Sequence, residues 1–314
     1  MTQRRTLSLE EFQNTELPHL ADVLSFGNSH QSSVYADTTA VKSPEVVYRG
    51  LFYSKNRLGS ESYLLNYRSS DADMGVMTGV NNYSMPMSVG ALAARQVVRQ
   101  GRAIALPPYD LLKPSLGSVA RSRRSVRKYS GRPLPLKELS TLLFYAQGET
   151  GELPANLPPT ITLGDTHNIA LRSSPSGGGL YPLYLYFVAL NVQSLEPGIY
   201  CYVPQGHGVQ HLAALPSGLD LGKLAGFGEI EYAKAGLVFM YVYRLYENSR
   251  KYGDLGLSFA LIEAGATAQN IALAATAMGV GTCDVGGYKK RACERLISVD
   301  GLSEHVVHMT VVGK

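Results

Sequence analysis

The chain has 314 residues, 45% hydrophobic and 17% charged, a composition that buries a substantial core and excludes a wholly disordered or fibrous protein. Twenty-nine Lys and Arg against 25 Asp and Glu leave a net charge of +4, too little basic excess for a nucleic-acid-binding surface, so no nucleic-acid partner is expected. Cys201, Cys283 and Cys293 form neither a CxxC pair nor an even framework, which predicts a reducing compartment and no metal site. The opening Met1-Thr2-Gln3-Arg4-Arg5 lacks the apolar stretch of a signal peptide, and no charge-free run reaches spanning length. A cytoplasmic location without a membrane partner is expected.

In chain order, residues 1 to about 115 are polar and rich in Ser, Asn and Tyr. A strand-like run at 45–53 sits beside a helical stretch at 88–100. This segment reads as a packing extension or as a surface for a peptide or partner protein, and the prolines of Ala105-Leu106-Pro107-Pro108-Tyr109-Asp110 mark a natural boundary. Next comes Arg121 to Ser130, which carries Arg121, Arg123, Arg124, Arg127 and Lys128 with no acid among them. Like charges packed this closely repel unless an anion lies among them. The planar guanidinium fork and the interleaved serines suit phosphate oxygens, and the run is expected on the entry to a helix. An isolated basic run in a nearly neutral chain favours the phosphate of a small cofactor over nucleic acid.

That helix is predicted from Pro135, with Leu136, Leu139, Leu142, Leu143 and Ala146 as its apolar stripe and Gly148 as its end. A loop rich in Gly and Pro is expected to about residue 168. Pro175-Ser176-Gly177-Gly178-Gly179-Leu180-Tyr181-Pro182 follows, leading into a strand at 183–190. Three glycines let backbone approach a ligand closely, although a tight turn would also use them, and the spacing matches neither a P-loop nor a dinucleotide fingerprint. Further strands are expected at 197–203 and, as a buried central strand, at 235–246.

Ser249-Arg250-Lys251-Tyr252-Gly253 then lies at a strand-to-helix junction, where rigid elements often position active-site groups. By spacing alone, Lys251 and Tyr252 are either a solvated lysine beside a packed tyrosine or a general acid and base. Asp254 is expected to cap a long helix, 255–278, closed by Gly279. This helix is apolar nearly all round and rich in Ala and Gly, which suits a core helix that also crosses a dimer interface. Glu263, Gln269 and Asn270 interrupt it too often for a membrane span. A short strand at 306–312 ends the chain. His207 and His211 are four apart but match no metal-site spacing, and neither GxSxG nor a Ser-His-Asp set is found.

Several stretches, in this order, resemble the flavin-dependent nitroreductase superfamily, and more closely its SagB-type branch, the McbC-like azoline dehydrogenases. They are Arg123-Arg124-Ser125-Val126-Arg127, Pro175 to Pro182, Glu196-Pro197-Gly198-Ile199-Tyr200, Lys251-Tyr252-Gly253 and Gly279 to Gly287. The resemblance covers roughly 115 to 314 and implies a nitroreductase-like α/β (α+β) fold. That fold has a mixed central sheet flanked by helices, dimerised through long helices. It divides the chain into an N-terminal segment, 1–115, and an FMN-binding catalytic domain, 116–314. It implies FMN as cofactor, with Arg123, Arg124, Ser125 and Arg127 on the phosphate. Pro175, Ser176, Gly177 and Gly178 would lie against the flavin from the other subunit, and Gly286 and Gly287 near its reactive N5 edge.

Lys251 and Tyr252 become the catalytic pair by this resemblance. The implied reaction oxidises a thiazoline or oxazoline in a ribosomal precursor peptide to the azole, with O2 as electron acceptor and a cyclodehydratase as working partner. Two other enzyme readings share the fold: an NAD(P)H-dependent nitroreductase or quinone reductase, and a flavin dehydrogenase acting on another amino-acid or peptide carbon. A non-catalytic scaffold with structural flavin is a fourth.

Overall fold

The computed structural model describes Tyr63 and residues 103–154, 168–225 and 228–314. The chain divides into two compact units, 1–69 and 70–314, and the architecture below belongs to the second. The strand expected at 45–53 and the helix expected at 88–100 lie outside the described residues.

In chain order the elements are β1 (Ala103–Ala105), α1 (Leu116–Ser122), α2 (Leu136–Gln147), β2 (Glu149–Pro154), β3 (Asn168–Arg172), β4 (Leu183–Ala189), β5 (Gly198–Val203), β6 (Gly208–Ala214), β7 (Leu237–Arg244), α3 (Leu245–Tyr252), α4 (Leu255–Ala277), β8 (Gly281–Val285), α5 (Lys290–Leu296) and β9 (Glu304–Gly313). Seven strands form one sheet in the order β1-β6-β5-β4-β7-β9-β8, with antiparallel ladders throughout. Among the described residues, parallel pairing occurs as isolated bridges, Ser125 with Thr282 and Leu134 with Val192. This is the α+β architecture the resemblance implies, a central sheet with flanking helices, except that the sheet is antiparallel where a mixed one was expected.

The sheet is buried on both faces. On one, Leu185, Phe187, Phe239 and Tyr241 pack with Leu139, Leu142 and Leu143 of α2 and Ala260, Ala264, Ala268 and Ile271 of α4. On the other, Val188, Val238, Met240 and Val242 pack with Cys293 of α5 and Met309 and Val311 of β9. Burial on both faces explains why β7 reads as a continuous apolar run instead of an alternating one.

The α2 stripe holds, from Pro135 to the Gly148 cap. The long helix also stops where expected. Gly279, at φ 67°, lets the Val280 N–H reach the Ala275 carbonyl at 2.8 Å and the Gly279 N–H reach Thr276 at 3.2 Å, a Schellman ending. By length and composition α4 could cross a membrane. In this fold its small residues lie against the sheet and α2, and Glu263 is buried with them.

Four expectations need correction. Asp254 precedes α4 but makes no side-chain cap, because its own backbone is already helical (φ −64°, ψ −27°). The expected loop after α2 begins and ends as strands, β2 and β3, which pair antiparallel. The last strand is not short: β9 has 10 residues and lies inside the sheet between β7 and β8. The basic run is not simply the entry to α2. It leaves the end of α1 and continues extended beside β8, where the Val126 N–H donates to Thr282 O at 2.8 Å. Strand β1 pairs with β6 in the main sheet, although it precedes the boundary read near residue 115.

Candidate active site

Strand pairing decides what meets at the site. Leu183, which opens β4, pairs with Tyr243 near the end of β7, and the Arg244 N–H donates to Pro182 O at 2.9 Å. The glycine turn just before β4 and the helix just after β7 therefore leave the sheet at the same place.

That helix, α3, carries Lys251 and Tyr252 in its last turn, so the pair is helical and not in a loop. Its start is anchored by Arg244, which pairs with Glu247 at 3.3 Å and Glu304 at 2.8 Å and lies 3.7 Å over the Tyr184 ring. Tyr184 OH donates to Glu247, and Tyr243 OH donates to Asn248 Oδ1 at 2.8 Å. Asn248 in turn donates to Gly256 O at 2.7 Å, tying α3 to α4. Gly253, at φ 54°, ends α3 and turns the chain into α4.

The facing turn, Gly177–Gly179, is a single 3-10 turn with Gly178 at φ 63° and Gly179 at φ 66°. The tight turn that the sequence allowed for these glycines is present. They make a left-handed turn, and they remove side chains from a crowded place. A Cβ on Gly178 would lie 2.3 Å from Tyr252 Oη and 2.8 Å from Lys251 Nζ, and one on Gly177 would lie 3.0 Å from the Phe259 ring. Phe259 in turn meets the Tyr252 ring edge-on at 4.9 Å. Tyr181, at φ 47°, closes the segment: its OH accepts from the Arg172 N–H at 2.9 Å, and its N–H donates to Ser176 Oγ at 2.9 Å.

The second group of site residues lies at the other end of α4. The basic run is extended, with Tyr129 buried and Val126 packed close to Gly281, which leaves Arg124, Ser125 and Arg127 outward. Arg123 is half-buried at the end of α1. Arg124 Nη1 donates to Arg121 O and Arg123 O at 3.0 and 2.8 Å, and Arg127 reaches Glu229 only at 3.9 Å. Gly286 and Gly287 follow β8 and are exposed. Between them and the basic run, Asp284 accepts from Thr310 Oγ1 at 2.6 Å and His308 Nε2 at 3.2 Å, and these hydrogen bonds hold its carboxyl below the usual range against the opposing effect of burial.

The structure thus joins Lys251, Tyr252, Gly177 and Gly178 in one cluster, with Pro175 exposed and Ser176 half-buried on the approach to it. It joins Arg123, Arg124, Ser125 and Arg127 to the strand leading to Gly286 and Gly287 in another. Sequence reasoning missed Phe259 and Tyr181, whose neighbours are remote in the chain or set by backbone shape. It read Glu263 only as an interruption of an apolar run, yet Glu263 touches Ser176. As the one charged residue among the buried positions of α4, it was the available signal.

The sequence profile described as "Nitroreductase family" matches residues 120–314. A nitroreductase relative from Methanocaldococcus jannaschii is 32% identical over 196 residues, 62% of this chain and 89% of its own length. The crystal structure of a nitroreductase from Ralstonia eutropha JMP134 superposes with TM-score 0.54 at 25% identity, over 69% of this chain and 91% of that one. A chain of the Escherichia coli microcin synthetase McbBCD complex, solved with truncated pro-MccB17 bound, superposes with TM-score 0.51 at 19% identity, over 99% of this chain and 98% of its own. With the profile covering well over half its length and the α+β fold agreeing, this chain belongs to the nitroreductase family of flavin-dependent oxidoreductases.

Proposed function

We propose that this chain is an FMN-dependent dehydrogenase that oxidises thiazolines or oxazolines in a ribosomal precursor peptide to thiazoles or oxazoles, with O2 as electron acceptor. The observation that carries the reading is the convergence of Lys251 Nζ and Tyr252 Oη on Gly178. Two proton-handling groups lie against a glycine that admits no side chain, beside an exposed backbone turn, so a flat ring can approach both.

The residues present fit FMN. The outward guanidinium groups of Arg124 and Arg127, with Arg123 and Ser125, form an isolated anion grip suited to one phosphate. Pro175 to Gly178 and Gly286 to Gly287 offer backbone without bulky side chains. FMN, when bound, supplies the hydride acceptor. The protein's own part is to hold the azoline over the glycine turn and to take up the ring proton. Tyr252 or Lys251 accepts that proton as the C–H bond breaks, and aromatisation of the ring favours the product.

A homodimer is part of this proposal, and the placement of the two clusters supports it. With 23 residues, α4 is about 34 Å long at 1.5 Å per residue. The Lys-Tyr pair lies before its N-terminal end and the basic run lies beside the strand after its C-terminal end. Leu257, Leu261 and Ile262 leave α4 with an open apolar face, 37%, 49% and 66% exposed, on which a second copy can pack and bring its glycine turn to the first copy's basic run. Residues 1–115 are proposed to bind the precursor peptide or a cyclodehydratase partner in the cytoplasm. The whole-length superposition on a chain of the microcin synthetase complex supports this.

The family assignment itself favours a second reading, an NAD(P)H-dependent nitroreductase or quinone reductase. Mixing the yellow protein anaerobically with a thiazoline peptide and, separately, with NADPH distinguishes the two. Bleaching of the flavin by the peptide alone is expected; bleaching by NADPH alone would transfer the protein to the second reading.

A further inference from the structure

Glu263 lies in the middle of α4, 1% exposed, in a row of small residues that otherwise packs on the core. Its Oε2 accepts a 2.5 Å hydrogen bond from Ser176 Oγ. Ser176 Oγ also accepts the Tyr181 N–H at 2.9 Å, and its single proton is free to go to the ionised carboxylate, which can only accept. The chain Glu263–Ser176–Tyr181 spans the glycine turn from one side to the other. It also supports Tyr181 in its left-handed backbone, a conformation that costs a non-glycine residue about 1 kcal/mol or more.

The same segment is pinned one step earlier. Ser173 Oγ donates to Phe144 O and Tyr145 O, and Asn270 Nδ2 donates to Ser173 O at 3.4 Å. Removing Glu263 therefore releases the turn itself and leaves its approach held.

We propose that Glu263 is a positioning residue: acting through Ser176, it holds Gly177 and Gly178 against Lys251 and Tyr252, and it does so more firmly as an anion than as an acid. A carboxylate makes the stronger, charge-assisted hydrogen bond to the Ser176 hydroxyl. Burial raises the Glu263 carboxyl to about 7. The Ser176 hydrogen bond, the Arg172 charge from β3 and the Leu183 backbone of β4 oppose that rise, and Glu247 of α3 adds to it. The change of state thus falls near neutral pH. On the turn's far side the facing titratable groups are Lys251 and Tyr252 themselves, and Arg172 lies 4.5 Å over the Tyr181 ring.

The consequence for turnover rests on the reading of Lys251 and Tyr252 given above; the consequence for the turn does not. The test is backbone amide exchange of the segment 174–182 in the full chain as purified, at pH 6 and pH 8, corrected for intrinsic exchange. In the wild type, protection is expected to rise about fivefold from pH 6 to pH 8, the difference between a neutral and a charge-assisted hydrogen bond. Glu263→Gln keeps an acceptor for Ser176 but cannot ionise, so its protection should stay at the low-pH level at both values. Ser176→Ala leaves the carboxyl in place and should lose protection at both, which keeps the test decisive if a Glu263 variant folds poorly.

A wild-type pH step that survives in Glu263→Gln, or Ser176→Ala indistinguishable from wild type, overturns the proposal. In the FMN-loaded protein, the pH profile of kcat for a thiazoline peptide should lose its limb near 7 in Glu263→Gln. If the wild type oxidises no azoline, the functional reading falls and the exchange result alone decides the role of Glu263.

Discussion

Tyr252 Oη lies 2.3 Å from the point where a Cβ on Gly178 would sit, so the tyrosine occupies the space that the glycine leaves. The two residues are far apart in sequence and belong to different elements, yet a side chain on Gly178 would need the space that Tyr252 fills. Gly178→Ala would place a methyl group on both Tyr252 and Lys251 and force a left-handed backbone on alanine. An unfolding free energy lower by about 1–2 kcal/mol is expected from the backbone alone. Turnover should fall further than stability does, because the methyl group displaces the pair. Denaturant unfolding and steady-state rates on the same preparation check this.

Lys251→Ala and Tyr252→Phe should each keep bound FMN, since neither belongs to the proposed phosphate grip. Each should lower kcat by about 10²- to 10⁴-fold, the usual contribution of a positioned acid or base. Flavin absorbance per mole of protein, set beside the rate, separates the two effects. Normal rates in both variants would remove the pair from the chemistry.

Arg124→Ala combined with Arg127→Ala should lose FMN. Charge-assisted contacts are worth about 1.5–3 kcal/mol each, so the Kd should rise at least a hundredfold. Lys314→Met is the contrasting variant. The Lys314 ammonium pairs with Glu138 at 2.7 Å in α2, with both side chains largely buried, and is committed there. Its replacement should lower stability and leave the FMN Kd within about twofold, as expected for a charge with no phosphate contact. Fluorescence titration of the apoprotein measures all three proteins.

His207 predicts a pH dependence of stability. Its Nε2 lies 2.7 Å from Ser140 Oγ, whose proton goes to Pro107 O, so Nε2 donates. Nδ1 then accepts from Tyr202 OH at 2.8 Å. This clasp pins the segment after β1 to α2, together with the Asp110 N–H on Thr141 Oγ1 at 3.0 Å and the Lys137–Asp110 pair at 2.7 Å. Burial lowers the His207 pKa below the ordinary imidazole value of 6.5. Below 6.5 the unfolded chain therefore binds a proton that the folded one refuses, and stability falls as pH drops, by at most about 1.4 kcal/mol per pH unit. His207→Gln should flatten that slope. Chemical denaturation between pH 5 and pH 7 reads it directly.

What the sequence determined by itself were the features written in local periodicity and backbone chemistry. The leucine stripe of α2 repeats at helical spacing, so the helix is legible from the sequence. The unbroken apolar run of β7 needs burial on both faces, and Gly279 ends α4 because it alone accepts a left-handed cap cheaply. The motif clusters were legible for a related reason: charges crowded from Arg121 to Lys128 and consecutive glycines at 177–179 have local consequences that need no knowledge of the fold.

Only the tertiary structure decided which of these meet. Antiparallel pairing of Leu183 with Tyr243 brings the glycine turn to Lys251 and Tyr252, and no period in the sequence encodes a register between distant strands. Whether Lys251 and Tyr252 stand in a loop or in the last turn of a helix was likewise settled by anchors from other elements, Arg244 on Glu304 and Asn248 on Gly256. The hairpin of β2 and β3 escaped notice because Gly and Pro break any strand pattern there, and its pairing alone makes it a strand. Glu263 shows the division most plainly. In the sequence it is one charge in an apolar helix, and only the packing of α4 against residues 173–176 makes it the partner of Ser176.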